Sequence, residues 1–207
     1  MIKFLIADDH AIVRLGVMQI LNRAFPGCEF GEACNAHQTV EKVKDQEWDL
    51  VILDINLPDK SGLDVLKHLK ALYPALQIFV LSVHSEEEYA IRVLKTGACG
   101  YMCKDSIPEE LVEAVRKILG GGKYVSSSLG EKLALGLDKG EDACRTLSDR
   151  EYQVMLMVAS GKSISEIADI LCLSVQSIST YRTRVFEKMG FQNNADLIRY
   201  IIEHKLS

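Results

Sequence analysis

No apolar run in the 207 residues approaches the roughly 18 consecutive residues of a membrane span, so no membrane-embedded function is expected. The first residues, MIKFLIADDH, lack the long apolar centre and small-residue cleavage site of a secretory signal, and a cytoplasmic location is expected. None of the six cysteines, at 28, 34, 99, 103, 144 and 172, belongs to a C-x-x-C pair or stands beside a histidine cluster. That argues against zinc sites and thioredoxin-like chemistry and for reduced, structural thiols. Positive charge is also scarce. The net charge is −5, so the chain is not one that holds nucleic acid by bulk charge alone. The deficit is local: residues 1–120 carry 13 basic and 18 acidic groups, residues 121–146 carry 4 and 4, and residues 147–207 carry 7 and 7. With 48% hydrophobic residues, the length suits two domains, each with its own core.

Over residues 1–120, short apolar runs alternate with amphipathic stretches. IKFLIA precedes a helix over His10–Phe25, and EFGEAC precedes one from Ala36. LVILD, IFVLS and GYMCK precede helices starting at Leu63, Glu86 and Ile107. Five such repeats predict an α/β domain with a five-stranded parallel, doubly wound sheet. Residues 121–146 are rich in Gly, Ser and charge and read as a linker with one short helix around Leu129–Leu137. From 147 to 207 no strand pattern remains, and four helices are predicted over 149–160, 164–171, 175–189 and 195–204. The Ser-x-x-Glu spacing of a capping box occurs at Ser85, Ser106, Ser148 and Ser163, and Ser174 is placed to cap the third helix of the tail.

In an open parallel sheet, sites form beyond the carboxyl ends of the strands. Those ends carry Asp8 and Asp9, Asp54, Ser82 and Lys104. Two carboxylates about 4 Å apart repel by about 4 kcal/mol at an effective dielectric near 20, so three of them need a proton or a cation. An all-oxygen donor set with no His or Cys pair favours Mg2+ over zinc. Lys104 and Ser82 are left to meet an anion, and a phosphoryl group on Asp54 would bridge the two halves.

These residues, in this order and at these strand ends, resemble the receiver domain of bacterial response regulators. The resemblance implies a flavodoxin-like fold in which Asp54 accepts a phosphoryl group from a sensor histidine kinase. It further implies that Asp8, Asp9, Asp54 and the backbone carbonyl of Asn56 hold Mg2+, that Lys104 and Ser82 read the phosphate, and that Tyr101 is an aromatic switch turning inward on activation. Taken singly, Ser82, Lys104 and Tyr101 also read as a loop hydroxyl, a solvated charge and a half-buried strand aromatic. His10 reads as a surface residue of the first helix.

In LSVQSISTYRTRVFEKMGF, residues 173–191, a helical wheel gathers Ile178, Val185 and Met189 on one face with Tyr181 beside them. Gln176, Ser179, Thr180 and Thr183 lie opposite, Arg182, Arg184 and Lys188 flank them, and residues 170–186 contain no acid. Small polar groups between cations suit a helix entering the major groove, and a solvated helix face fits equally well. With LSDREYQVM, ISEIADIL and NADLIRYI, the tail resembles the LuxR-type helix-turn-helix domain, and the whole chain resembles the NarL/FixJ response regulators. That resemblance implies base contacts at Ser179, Thr180 and Thr183, to which the wheel adds Gln176, with Arg182, Arg184 and Lys188 toward the DNA backbone. It also implies a double-stranded DNA operator, a homodimer, and RNA polymerase as a further partner, with the chain a phosphoacceptor and not an enzyme. Ser179 replaces a common Lys and Tyr181 a common His, which shifts weight onto dimerisation, for which Leu197, Ile198, Ile201 and Ile202 are candidates. Two other classes fit the residues alone: an aspartate-nucleophile phosphatase, although Asn56 breaks its D-x-D spacing, and a module that binds protein through its helical tail.

Overall fold

The computed structural model describes residues 1–83, 86–127, 129–130 and 146–204, divided into two compact units, Met1–Leu129 and Gly130–Ser207. In the first unit the strands are β1 (Lys3–Ala7), β2 (Glu29–Ala33), β3 (Leu50–Asp54), β4 (Ile78–Ser82) and β5 (Gly100–Cys103). Between and after them run α1 (Ala11–Ala24), α2 (Ala36–Asp45), α3 (Gly62–Leu72), α4 (Glu86–Lys95) and α5 (Ile107–Leu119). All pairings are parallel, in the order β2-β1-β3-β4-β5. The chain moves outward from β1 to β2 and then back across to β3, so the order reverses between β1 and β3, where an open sheet makes its crevice. Ala7 pairs with Leu53, so the next residues, Asp8 and Asp54, stand side by side at the strand ends.

Strand alternation explains the two-sided core. Phe4, Ile6, Ile52, Phe79, Leu81 and Met102 face one side and join Val17 and Leu21 of α1 with Leu111, Val115 and Ile118 of α5. Their neighbours Leu5, Val51, Leu53, Val80 and Tyr101 point the other way and are equally buried. Being apolar on both faces is what made β3 and β4 legible as unbroken hydrophobic runs. The helix after β5 begins differently from its expected capping box. A 3-10 turn over Lys104–Ser106 leads straight into α5, and the Ser106 side chain makes no capping hydrogen bond. The turn satisfies the Ile107 amide through the Lys104 carbonyl, and Pro108 has no amide to satisfy. Ser85, expected to cap α4, lies outside the described residues.

The first unit also runs past the expected boundary at residue 120. The Tyr124 amide donates to the Cys99 carbonyl at 2.8 Å, a parallel bridge links Gly100 to Tyr124, and the Tyr124 ring meets Phe79 edge-on at 5.9 Å. Its hydroxyl bonds Glu110 of α5, and Ser126 bonds Glu86 of α4. Tyr124 thus covers the Gly100 end of the outer edge of β5, where unpaired backbone groups would otherwise invite another strand. Leu129 is buried. The helix expected over Leu129–Leu137 lies, beyond Gly130, outside the described residues.

In the second unit the described helices are α6 (Asp149–Ala159), α7 (Ile164–Ile170), α8 (Val175–Met189) and α9 (Asn194–His204). Ser148 with Glu151 and Ser163 with Glu166 form reciprocal capping boxes, and the Ser174 hydroxyl accepts from the Ser177 amide. Each satisfies amides that a helix start leaves unpaired. The core gathers Val154, Met155, Ile167, Ile178, Val185 and Leu197. Cys172 takes a left-handed φ of 51° in the tight α7–α8 turn, and Gly190 ends α8 at φ 71°.

Candidate functional site

At the crevice, Asp8, Asp9, Asp54 and His10 each offer a ligand atom, all within 4.8 Å of one another. The Lys104 ammonium closes one side, 2.6 Å from Asp8 Oδ2 and 2.7 Å from Asp54 Oδ2. The Asn56 amide donates to Asp54 Oδ1 at 3.0 Å, bending the β3–α3 loop back over the acid. Ser82 at the end of β4 and Tyr101 within β5 are fully buried, so Tyr101 occupies an inward position. The pocket therefore unites the predicted acids and Lys104, with Ser82 at the neighbouring strand end.

Burial pushes the Asp54 carboxyl above its ordinary value, and the negative charge of Asp8 pushes the same way against Lys104 and the Asn56 amide. For Lys104, burial favours the neutral amine, but the charges and hydrogen bonds of Asp54 and Asp8 outweigh it and raise the ammonium's value. The ion pair alone would lower Asp54, so burial and acid crowding decide the direction there. Such a pocket gains from a further cation. Asp9 Oδ1 is closed off from solvent and accepts no hydrogen bond, with His10 Nδ1 2.7 Å away. A carboxylate oxygen shut off from water, with only the His10 ring near it and two more carboxylates beside it, fits a hard divalent ion.

Three further residues support the pocket, of which Arg14 and Asp59 carry no signal in hydrophobic period or capping spacing. Arg14 of α1 donates to the backbone carbonyls of Asp8 and Asp9. Asp59 in the β3–α3 loop accepts from the Ala36 and His37 amides at 2.7 and 3.0 Å, capping α2 from a distant loop. Burial works to raise the Asp59 carboxyl, but these amides and those of Asp59 and Lys60 hold it below its ordinary value. Gly62 begins α3 against the Asp54 carbonyl, where an added Cβ would lie 2.0 Å from that oxygen. His10 is expected at the surface. Its side chain is indeed 62% exposed, yet it faces the acids. Only the position of Arg14 one turn into α1 could have signalled its role, and nothing in the one-dimensional pattern links Asp59 to α2.

On α8 of the second unit, Gln176, Thr180, Thr183 and Arg184 are exposed and Ser179 is half-buried. The Thr180 hydroxyl donates to the Gln176 carbonyl at 2.9 Å and the Thr183 hydroxyl to the Ser179 carbonyl at 3.0 Å. With their protons committed, these hydroxyls offer lone pairs and methyl groups, which suit base amino groups and thymine methyls. The three flanking cations differ. Arg182 donates to Asn194 at 2.8 Å and stacks on Phe186 at 4.3 Å, and Lys188 pairs with Glu151 at 2.6 Å. Arg184 has no partner among the described residues.

Glu151 sets an acid limit on this unit. Burial works to raise its carboxyl, but the Lys188 ammonium and the Ser148 amide and hydroxyl hold it below its ordinary 4.5. A depressed carboxylate contributes stability that is complete above the unfolded value and is lost as pH falls through the lower folded one. The unit should therefore hold a level thermal midpoint above about pH 4.5 and lose stability below it. Glu151→Gln should lower the plateau by about 1 kcal/mol, since Lys188 is partly solvated, and flatten the acid limb. Thermal unfolding followed by circular dichroism between pH 3 and 7 reads both.

Residues 4–116 match the family described as response regulator receiver domain, and residues 145–201 match bacterial regulatory proteins, luxR family. An acidic pocket at the switch point of a five-stranded receiver sheet, followed by a LuxR-type helical domain, defines a two-component response regulator. The chain belongs to the NarL/FixJ family of these regulators. It is 32% identical to response regulator UvrY of Escherichia coli K12 over 100% of this chain and 96% of that one. It is 31% identical to response regulator GacA of Pseudomonas aeruginosa over 99% and 97%. Among solved structures, RcsB of Salmonella enterica serovar Typhimurium, bound to promoter rprA in the presence of phosphomimetic BeF3−, is 28% identical with a TM-score of 0.65, covering 97% of this chain and 98% of that one. No described helix is long and apolar enough to cross a membrane.

Proposed function

We propose that Asp54 accepts a phosphoryl group from a sensor histidine kinase in the cytoplasm, and that the aspartyl phosphate promotes dimerisation and operator binding by the helical domain. The observation that carries this is the convergence of Asp8, Asp9, Asp54 and Lys104 on one buried pocket. Asp54 attacks phosphorus, the bond to the donor's imidazole nitrogen breaks, and a mixed anhydride forms. Asp8, Asp9, Asp54 and the Asn56 carbonyl would hold Mg2+, which when bound neutralises charge on the phosphoryl oxygens. Lys104 exchanges part of its carboxylate pairing for the incoming phosphate, and Ser82 moves toward it, leaving Tyr101 locked inward. The protein acts only on itself, as acceptor and in its own dephosphorylation.

For DNA, Gln176, Ser179, Thr180 and Thr183 meet base edges in the major groove, and Arg184 meets phosphate. Arg182 and Lys188 add backbone contacts with the donors their internal bonds leave unused. Ile198 and Ile202 of α9 are 41% and 66% exposed while Leu197 and Ile201 are buried. The first pair is thus available to a second copy and the second pair serves the core. RNA polymerase is the partner through which operator occupancy would alter transcription.

Exposure to a small acyl phosphate with Mg2+ tests acceptor and consequence together. One phosphoryl group should appear by mass, a dimer by light scattering, and tighter binding to selected duplex. Incorporation with no change in assembly or DNA affinity would sink the coupling.

A further inference from the structure

We infer that Arg14 is a positioning residue for the phosphoacceptor pocket, one that sets Mg2+ affinity without touching the metal. The inference rests on the phosphoacceptor reading above and concerns the β1–α1 turn that carries two of its acids.

Asp8 and Asp9 lie on a turn whose charges repel that of Asp54, and Lys104 bridges Asp54 to Asp8 alone. The turn is held at its amide by the β2 end, where Asp8 N donates to the Ala33 carbonyl at 3.0 Å. Its carbonyls are held by Arg14, whose Nη1 lies 2.8 Å from the Asp8 oxygen and 3.3 Å from the Asp9 oxygen. The guanidinium is anchored in turn, since its Nε donates to Glu32 Oε2 of β2 at 2.8 Å. With its side chain only 14% exposed, Arg14 staples α1, the acidic turn and β2 into one unit. Consecutive carbonyls gripped by one nitrogen fix the peptide plane between Asp8 and Asp9. The direction of the Asp9 side chain, whose Oδ1 is shut off from water in the pocket, follows from that plane. Lysine cannot reproduce the arrangement, because one ammonium on a flexible stem does not engage two carbonyls and a carboxylate as a rigid fork does.

Charge and position make opposite demands here. As a bare positive charge, Arg14 repels a divalent cation, so its removal should tighten Mg2+ binding, and exchange for Lys should change nothing. As a positioning group, its removal should loosen binding, and Lys should restore only part of it.

The measurement is calorimetric titration of the full chain with MgCl2 alone, beside thermal unfolding without Mg2+. In Arg14→Ala, Mg2+ affinity should fall about tenfold, the scale on which groups supporting metal ligands act. In Arg14→Lys it should fall about threefold, intermediate between the alanine variant and the native fork. Unchanged or tighter binding in a folded Arg14→Ala overturns the inference. Should that variant fail to fold, native affinity in Arg14→Lys overturns it. A native chain that binds no Mg2+ at all would instead overturn the phosphoacceptor reading itself.

Discussion

Asp54→Asn should fold as the native chain does and take up no acid-labile phosphate from a small acyl phosphate and Mg2+. The substitution keeps the side chain's shape and removes the nucleophilic charge. It also removes one of the acids crowding the pocket, and it leaves Lys104 its contact with Asp8 at 2.6 Å. Removing one partner of a buried ion pair is costly when it strands the other charge, but Lys104 keeps Asp8 and the burial that penalises the Asp54 carboxylate is relieved, so stability should stay within about 1 kcal/mol of native. Intact-mass spectrometry after acyl phosphate treatment, with thermal unfolding alongside, gives the answer. Labelling that survives the substitution would move the acceptor to another side chain.

Gly62→Ala should cost more than any other single methyl in the first unit. Its Cβ would stand 2.0 Å from the Asp54 carbonyl oxygen and 2.7 Å from the Ile55 Cα. Both obstacles are backbone, so no side chain can swing aside. The Gly62 amide meanwhile donates to the Ile55 carbonyl at 2.8 Å, which is why α3 starts so close to the strand end. Relief requires prying the β3–α3 loop away from Asp54, and overpacking of this kind costs about 3 kcal/mol or more. A loss of that size lowers the thermal midpoint by on the order of 10 °C. Phosphoryl uptake should fall further than stability does, because the loop carrying Asn56 is displaced even in molecules that stay folded. Denaturant unfolding and initial rates of phosphorylation, compared at a temperature where the variant is folded, separate the two effects. Native rates would mean that the loop is not part of the acceptor geometry.

The parts of this molecule that were legible beforehand are those whose physics is local. β3 and β4 announce themselves because both of their faces are buried, and α8 because its caps and apolar stripe coincide with Val175–Met189. The acidic pocket was legible because topology brings the strand ends together, so Asp8, Asp54 and Lys104 needed no knowledge of distance. What escaped is tertiary. Arg14 and Asp59 act on backbone groups of other elements, which hydrophobic period and capping spacing do not encode. The pairing of Lys188 with Glu151 joins residues 37 apart, so a cation expected to flank the DNA-facing side proved to be bonded inside its own unit. The stretch after α5 misled for the opposite reason. GGGKYVSSS has the composition of a spacer, and only Tyr124, bridged to Gly100 at the start of β5, gives it a place beside the sheet.

That Tyr124 is bridged to β5 makes the stretch after α5 a mechanical junction inside the first unit. The Tyr124 amide holds the Cys99 carbonyl, its hydroxyl holds Glu110 of α5, and Ser126 holds Glu86 of α4. Three elements that surround Tyr101 therefore meet at two neighbouring side chains, and a displacement of any one of them is passed on to the others there.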